Sequence, residues 1–203
     1  MRFLVFAGLT NITGKTKETV ITRLILQMGI SIDGFVAALD GSQPWLGEPE
    51  DDAAKQWKLD TVRGADAHLM GRVSYLAMAS HWPGSESAYA APMNDIPKIV
   101  FSKTLRKAEW TETRIASGPL EDEIARIKAR PGGYVIAYGG AQFARALISG
   151  GLVDEFRLNI QPAALGTGMP IFTEIPAPQK LELVEVRPFA AGNVGHVYVP
   201  RTP

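Results

Sequence analysis

The stretch YVIAYGGAQFARALISGGLVDEFRLNIQPAALGTGMPIF, residues 134–172, decides how the rest of the chain is read. It opens on an apolar run, Tyr134 to Tyr138, which enters the pair Gly139-Gly140. A helical pattern follows at once, with Phe143, Ala144, Leu147 and Ile148 on one face. That order predicts a buried strand, a tight turn and a helix. Glycine at the turn permits positive φ and lets a ligand approach where a Cβ would stand. The helix that begins there offers unpaired N–H groups at the positive end of its dipole, a geometry suited to phosphate. A nucleotide site is one reading of these residues. Close packing of strand on helix is the other, since no GxGxxG pattern is present.

Upstream, Ser117-Gly118-Pro119 followed by Glu121, Asp122 and Glu123 predicts a helix start, with Leu120, Ile124 and Ile127 as the inward stripe and Pro131-Gly132-Gly133 as the stop. Strands are expected over residues 111–115 and 98–101, the latter ending at Ser102-Lys103. Before the Pro83-Gly84 loop lie a strand over 67–70, a turn at Gly71-Arg72 and a short helix over 73–79 with Leu76 and Ala79 inward. Pro49-Glu50-Asp51-Asp52 predicts another helix start, running to about Arg63. It follows a Gly- and acid-rich loop, residues 37–52, that carries Trp45. RLILQMGISI, residues 23–32, alternates too little for a half-exposed strand and reads as the first buried one, running into Asp33-Gly34. Residues 1–21 are either an added strand or an extension outside a single domain over 22–201. Downstream of the opening stretch, residues 181–186 and 196–199 alternate like a closing antiparallel pair.

Strands alternating with helices imply an α/β fold: a mostly parallel central sheet covered on both faces, with an antiparallel C-terminal hairpin at one edge. Ligands on such sheets gather at the carboxyl ends of the strands, here Asp33, Gly71-Arg72, Ser102-Lys103 and Gly139-Gly140. Arg72, Ser102 and Lys103 suit a phosphate such as an adenosine 2′-phosphate; the alternative is solvated loop charge. Asp33 is either a proton donor whose pKa burial raises or an Asp-Gly turn.

At 203 residues, 46% hydrophobic and 21% charged, one ordinary globular core is expected. A formal net charge of +0 without a local basic cluster argues against nucleic acid as partner. No apolar run approaches the ~20 residues that span a bilayer, and the N-terminus lacks a clear secretory pattern. The absence of cysteine removes disulfides, thiolate nucleophiles and Cys-ligated zinc, and fits the cytoplasm. His68, His81 and His196 show no metal-ligand spacing, and Trp57, Trp82 and Trp110 read as packing residues.

The segments QMGISIDGF (residues 27–35), LMGRVSY (69–75), IVFSKTL (99–105), YGGAQFARALISGGLVDEFRL and LGTGMPIF, with the loop Trp45, resemble in this order the dihydrofolate reductase superfamily. They are most similar to its stand-alone bacterial members and to the reductase domain of the bifunctional riboflavin deaminase-reductase. The resemblance covers about residues 22–200 and implies a dihydrofolate reductase-like three-layer α/β/α fold, an NADPH-dependent reductase and a homodimer. It implies cofactor contacts at Gly29, Trp45, Gly71, Arg72, Ser74, Ser102, Lys103, Gly139, Gly140, Ala141 and Gln142, and a substrate contact at Arg63. The family's carboxylate falls on Asp33, with Asp51 as the rival from the dihydrofolate reductase pattern. Riboflavin reductases carry a basic residue where this chain has Phe35 and an acidic one where it has Tyr138. The expected activity is hydride transfer to a C=N or C=O bond of a small pteridine- or pyrimidine-like substrate. The alternatives are 5-amino-6-(5-phosphoribosylamino)uracil reduction, dihydrofolate reduction, nucleotide binding without turnover, and a reductase-like fold with no cofactor site.

Overall fold

The computed structural model describes residues 21–46 and 51–201. Residues 1–20, for which an extension or added strand is expected, lie outside the described residues, as do Pro49 and Glu50 of the expected helix start. The sheet is centred on β1 (Arg23–Ser31), whose apolar residues are covered on both faces. Parallel neighbours flank it, with β5 (Tyr134–Ala137) on one side and β6 (Glu155–Gln161) on the other. β2 (Ala67–Gly71), β3 (Lys98–Phe101) and β4 (Thr113–Ala116) continue the parallel sheet beyond β5. β7 (Leu181–Pro188) and β8 (Val194–Pro200) form the C-terminal hairpin, and β8 joins β6 antiparallel. The strand order is β4-β3-β2-β5-β1-β6-β8-β7, the mostly parallel sheet with an antiparallel edge that the sequence implies.

Helices lie on both faces. α4 (Leu120–Lys128) and α5 (Ala141–Ser149) bury Ile124, Ile127, Ala144, Leu147 and Ile148 against Leu24, Leu26, Leu69 and Ile99. α1 (Asp52–Arg63), α2 (Arg72–His81) and α3 (Ala90–Asp95) cover the opposite face, where Val62, Tyr75 and Met93 meet Met70, Val100 and Ile136. Successive strand residues point to opposite faces, which is why Leu69 and Met70 serve different layers. The result is three layers, α/β/α. No helix among the described residues is long and apolar enough to cross a membrane.

One expectation for α2 is corrected. Leu76 is 47% exposed, and the buried residue is Tyr75, whose hydroxyl accepts the N–H groups of Glu109 and Trp110 at 3.0 and 3.1 Å. The helix starts at Arg72, directly after β2, so its inward face runs through Tyr75, Met78 and Ala79.

The connections position the site. From β1 the chain steps outward through β2 and β3 to β4, then returns through α4 to β5, beside β1, and through α5 to β6. Such a reversal leaves a crevice at the carboxyl ends of the central strands.

Candidate functional site

Two helices begin in that crevice. α2 starts at Arg72 straight after β2, and α5 starts at Ala141 after Gly140, which has φ 75° and ψ 94°. Neither N-terminus carries a side-chain cap, so both present N–H groups and the positive end of a dipole to the same place. Their closeness depends on glycine. A Cβ on Gly140 would lie 2.8 Å from Ser74 Oγ, one on Gly139 3.4 Å from the same atom, and one on Gly71 3.3 Å from Phe143 Cβ. Gly139 and Gly140 also hold φ of 78° and 75°, which side chains disfavour. Gly71, Ser74, Gly139, Gly140, Ala141 and Gln142, expected as cofactor contacts, are thereby brought together. Arg72 is exposed at the first position of α2.

Alongside lies a cleft of about 570 Å³ whose lining includes Ser102, Lys103, Ser117, Gly118, Glu121 and Phe143. Lys103 is exposed there, while Ser102 Oγ accepts the N–H groups of Thr104 and Leu105 at 3.2 and 2.9 Å and shapes the turn. The rings of Phe101 and Phe143 sit 5.0 Å apart and form an apolar wall. Two uncapped helix starts beside a cleft with an exposed ammonium and an aromatic wall fit a dinucleotide: a diphosphate at the helix starts, an adenosine in the cleft.

On β1, Gly29 faces the indole of Trp45, whose Nε1 is 3.2 Å from where a Gly29 Cβ would stand. This brings together another expected pair.

The carboxylates behave otherwise than a raised pKa requires. Asp33 is exposed, beyond the end of β1 in a turn where Gly34 has φ 92°. It accepts the Ser31 hydroxyl at 2.6 Å and the N–H groups of Gly166 and Leu165 at 2.7 and 3.0 Å. The Ser31 hydrogen bond is the largest cause of its lowered pKa; desolvation opposes it, and the N–H groups of Gly166 and Leu165 add to the lowering. Asp51 caps α1, its Oδ1 accepting from Ala53 at 2.6 Å and Ala54 at 3.3 Å, while Oδ2 accepts from Ala190 at 2.7 Å. The Ala190 N–H is the main cause of its lowered pKa. Arg63 is not brought to the crevice. It ends α1 beside Gly64, which packs on the hydroxyl of Tyr134, the first residue of β5, and so lies at the amino ends of the strands.

Phe35 and Tyr138 offer no charge to a ligand. Tyr138 donates its hydroxyl to Met93 Sδ at 3.2 Å, and burial pushes its phenol well above the usual range. Phe35 packs on Gly168, where a Cβ would be 3.0 Å from its ring.

Polar side chains that sequence reading missed lie under α1. Asn159 is 1% exposed and Gln27 7%. The signal was available in EFRLNIQ, where Glu155, Arg157, Asn159 and Gln161 alternate with apolar residues in a strand that the fold covers on both sides. Glu155 is neutralised there by Arg157 at 2.5 Å and Arg23 at 3.0 Å.

Comparison with known proteins agrees with this geometry. The family described as RibD C-terminal domain matches residues 22–194. The uncharacterized protein YyaP of Bacillus subtilis (strain 168) is 32% identical over 182 residues, 87% of this chain and 94% of its own. A Shewanella sp. PV-4 protein, assigned provisionally by name to riboflavin biosynthesis, has a similar structure with a TM-score of 0.74 at 20% identity, over 89% of this chain and 100% of that one. The dihydrofolate reductase of Enterococcus faecalis, solved in complex with NADP(H), is similar at a TM-score of 0.60 and 16% identity, over 89% of this chain and 97% of that one. At those identities the solved structures speak for the fold, which is dihydrofolate reductase-like. The match over residues 22–194, with a relative of 32% identity along nearly its whole length, places the chain in the RibD C-terminal domain family.

Proposed function

We propose that the protein is an NADPH-dependent reductase that delivers a hydride to a C=N or C=O bond of a small pteridine- or pyrimidine-like substrate. The observation that carries this reading is the meeting of two uncapped helix N-termini at Gly71 and Gly139-Gly140, with Ser74 between them and the Ser102-Lys103 cleft alongside. In this reading the first N–H groups of α2 and α5, with Ser74, hold the diphosphate. Arg72, Ser102 and Lys103 hold the adenosine 2′-phosphate through charge-assisted hydrogen bonds. The reduced nicotinamide supplies the hydride when bound. Gly29 and Trp45 provide the wall against which donor and acceptor are aligned, because a residue without Cβ lets a ring lie close to the strand.

Reduction of C=N or C=O also requires a proton on the heteroatom. Asp33 and Asp51 are ionised at neutral pH and hold backbone N–H groups, so we assign them positioning roles and leave protonation to water. That observation also favours a second reading, nucleotide binding without turnover. Phe35 weighs against 5-amino-6-(5-phosphoribosylamino)uracil as substrate, since a phenyl ring cannot pair with its phosphate as the basic residue of riboflavin reductases does. NADPH oxidation followed over a panel of dihydropteridines, aminopyrimidines and cyclic imines distinguishes the readings. The reductase oxidises NADPH with at least one of them. Binding without any oxidation across the panel favours the second reading.

The proposal includes a homodimer. β7 is an edge strand, and Leu183, Val184 and Val186 are 50%, 60% and 51% exposed on it, an apolar strip that a second copy would cover. Sedimentation is expected to give a dimer for the wild type and a monomer for Val184→Lys. A monomeric wild type contradicts this part.

A further inference from the structure

The cleft beside α5 holds two opposite charges that do not meet. Its lining draws on the ends of β3 and β4, the first residues of α4 and Phe143 of α5. Lys103 stands just past β3 and Glu121 at the second position of α4. Both are exposed, and neither has an ion-pair or hydrogen-bond partner among the described residues. The other acidic residues in the first turn of α4 are placed differently. Glu123 is neutralised by Arg114 at 3.2 Å and Arg126 at 2.9 Å, and Asp122 lies outside the lining. Among the described residues, Glu121 is therefore the one carboxylate that the cleft offers to a ligand.

The order of the strands decides what that carboxylate faces. Outward from the centre come β5, β2, β3 and β4, so Gly139-Gly140, Gly71-Arg72, Ser102-Lys103 and Ser117-Gly118 follow one another along the carboxyl edge of the sheet, and Glu121 comes last. In a dinucleotide the adenine and the 2′-phosphate sit on neighbouring carbons of one ribose, on the far side of it from the diphosphate. A diphosphate at the ends of β5 and β2 sends both of them outward along this edge. Lys103 and Glu121 then sort them by charge. A phosphate is drawn to the ammonium and repelled by the carboxylate. Adenine joined to ribose carries one strong hydrogen-bond donor, its 6-amino group, and an ionised carboxylate can only accept. The rings of Phe101 and Phe143, 5.0 Å apart, offer the purine an apolar wall between the two charges.

We infer that Glu121 is a specificity-determining residue that accepts a hydrogen bond from the 6-amino group of the adenine, so that the cleft selects 6-aminopurine over 6-oxopurine dinucleotides. Hypoxanthine has an oxygen where adenine has that amine, and two acceptors repel one another. The assignment rests on the dinucleotide reading above and adds to it the group of the base that is read and the residue that reads it.

Calorimetric titration of the full chain with NADPH and with its reduced hypoxanthine analogue, which differs in the purine alone, tests the assignment. The wild type is expected to bind NADPH roughly three- to tenfold more tightly, the size of one hydrogen bond. Glu121→Ala removes the acceptor and is expected to bind the two nucleotides equally. Glu121→Gln is expected to lose the preference as well, because an amide can turn its N–H towards the oxo group. Each ratio is taken within one protein, so any change in the stability of α4 cancels, and if one variant does not fold the other decides. Equal affinity of the wild type for the two nucleotides, or a preference that survives in the folded variants, overturns the assignment and leaves Glu121 as a solvated carboxylate at a helix start. Either result leaves the dinucleotide reading standing. A wild type that binds neither nucleotide sinks that reading, and this assignment with it.

Discussion

Asp51 holds Ala53 and Ala54 through Oδ1 and Ala190 through Oδ2, so one side chain both caps α1 and ties it to the β7–β8 turn. Asparagine has a single oxygen and keeps only one of these duties, whereas alanine keeps neither. Melting temperature at neutral pH is therefore expected to fall in the order wild type, Asp51→Asn, Asp51→Ala. Because the folded-state pKa of Asp51 lies below 3.8, its contribution is present above that pH and is lost as pH falls through the folded value. The wild type and Asp51→Asn should converge on acidification; a gap that widens in acid contradicts this. Gly140 offers a second test at this scale. Gly151, with φ 63° and nothing within 4 Å of its Cβ position, reports backbone strain alone, and Gly151→Ala should cost about 1–2 kcal/mol. Gly140→Ala adds a contact of 2.8 Å with Ser74 Oγ, so denaturant titration should show a larger loss, partly recovered by Ser74→Gly. Equal costs at the two glycines would show that the close approach is dispensable.

β2 and β3 place His68 directly opposite Lys98, both fully buried. Lys98 Nζ donates to Asn94 O and to Thr111 O, the latter at 3.0 Å, and lies 4.7 Å from the centre of the Trp110 ring. Desolvation lowers its pKa, with Asp95 and Glu112 opposing. His68 bonds Pro92 O at 2.9 Å, and its pKa is pushed down to about 4, chiefly by burial, with the Lys98 charge adding to the effect. The unfolded chain binds this proton near 6.5, so between the two values the unfolded state holds more protons and stability rises with pH. Acidification from pH 6.5 to 4 should cost roughly 3 kcal/mol through this one group. His68→Gln should flatten that slope; an unchanged slope assigns it elsewhere. Elements of this kind also show what the sequence could and could not disclose. Strands β1 and β5 and helices α4 and α5 were legible because their apolar spacing is set by the layers they bury. The inward face of α2 was misread because it depends on a helix start one residue earlier than the spacing indicated. Lys98 looked like an ordinary strand residue, since its carbonyl partners come from Asn94 and Thr111 in separate segments.

At the scale of the molecule, the candidate site was legible where it is made of backbone and illegible where it is made of distant side chains. Gly71, Ser74, Gly139 and Gly140 converge because β2 and β5 are adjacent and parallel, a consequence of topology that the alternation of strands and helices already implied. Arg63 sits at the opposite edge of the sheet, because α1 runs back towards the amino ends of the strands. Asp33 and Asp51 lie near the expected edge, but their partners, at positions 165–166 and 190, are remote in sequence, so their engagement could not be read locally. The amides under α1 escaped notice for a related reason: alternation in β6 resembles a solvent-facing strand until β1, β8 and α1 close over it. The proposed function requires a dinucleotide in the crevice between α2, α5 and the Ser102-Lys103 cleft. Its most direct test is thermal stabilisation of the wild type, Arg72→Ala and Lys103→Ala by NADPH and by NADH. Stabilisation of the wild type is expected to be stronger with NADPH than with NADH, and largely lost with NADPH in both variants. No shift of the wild type with either nucleotide, or NADPH shifts unchanged in both variants, would contradict it.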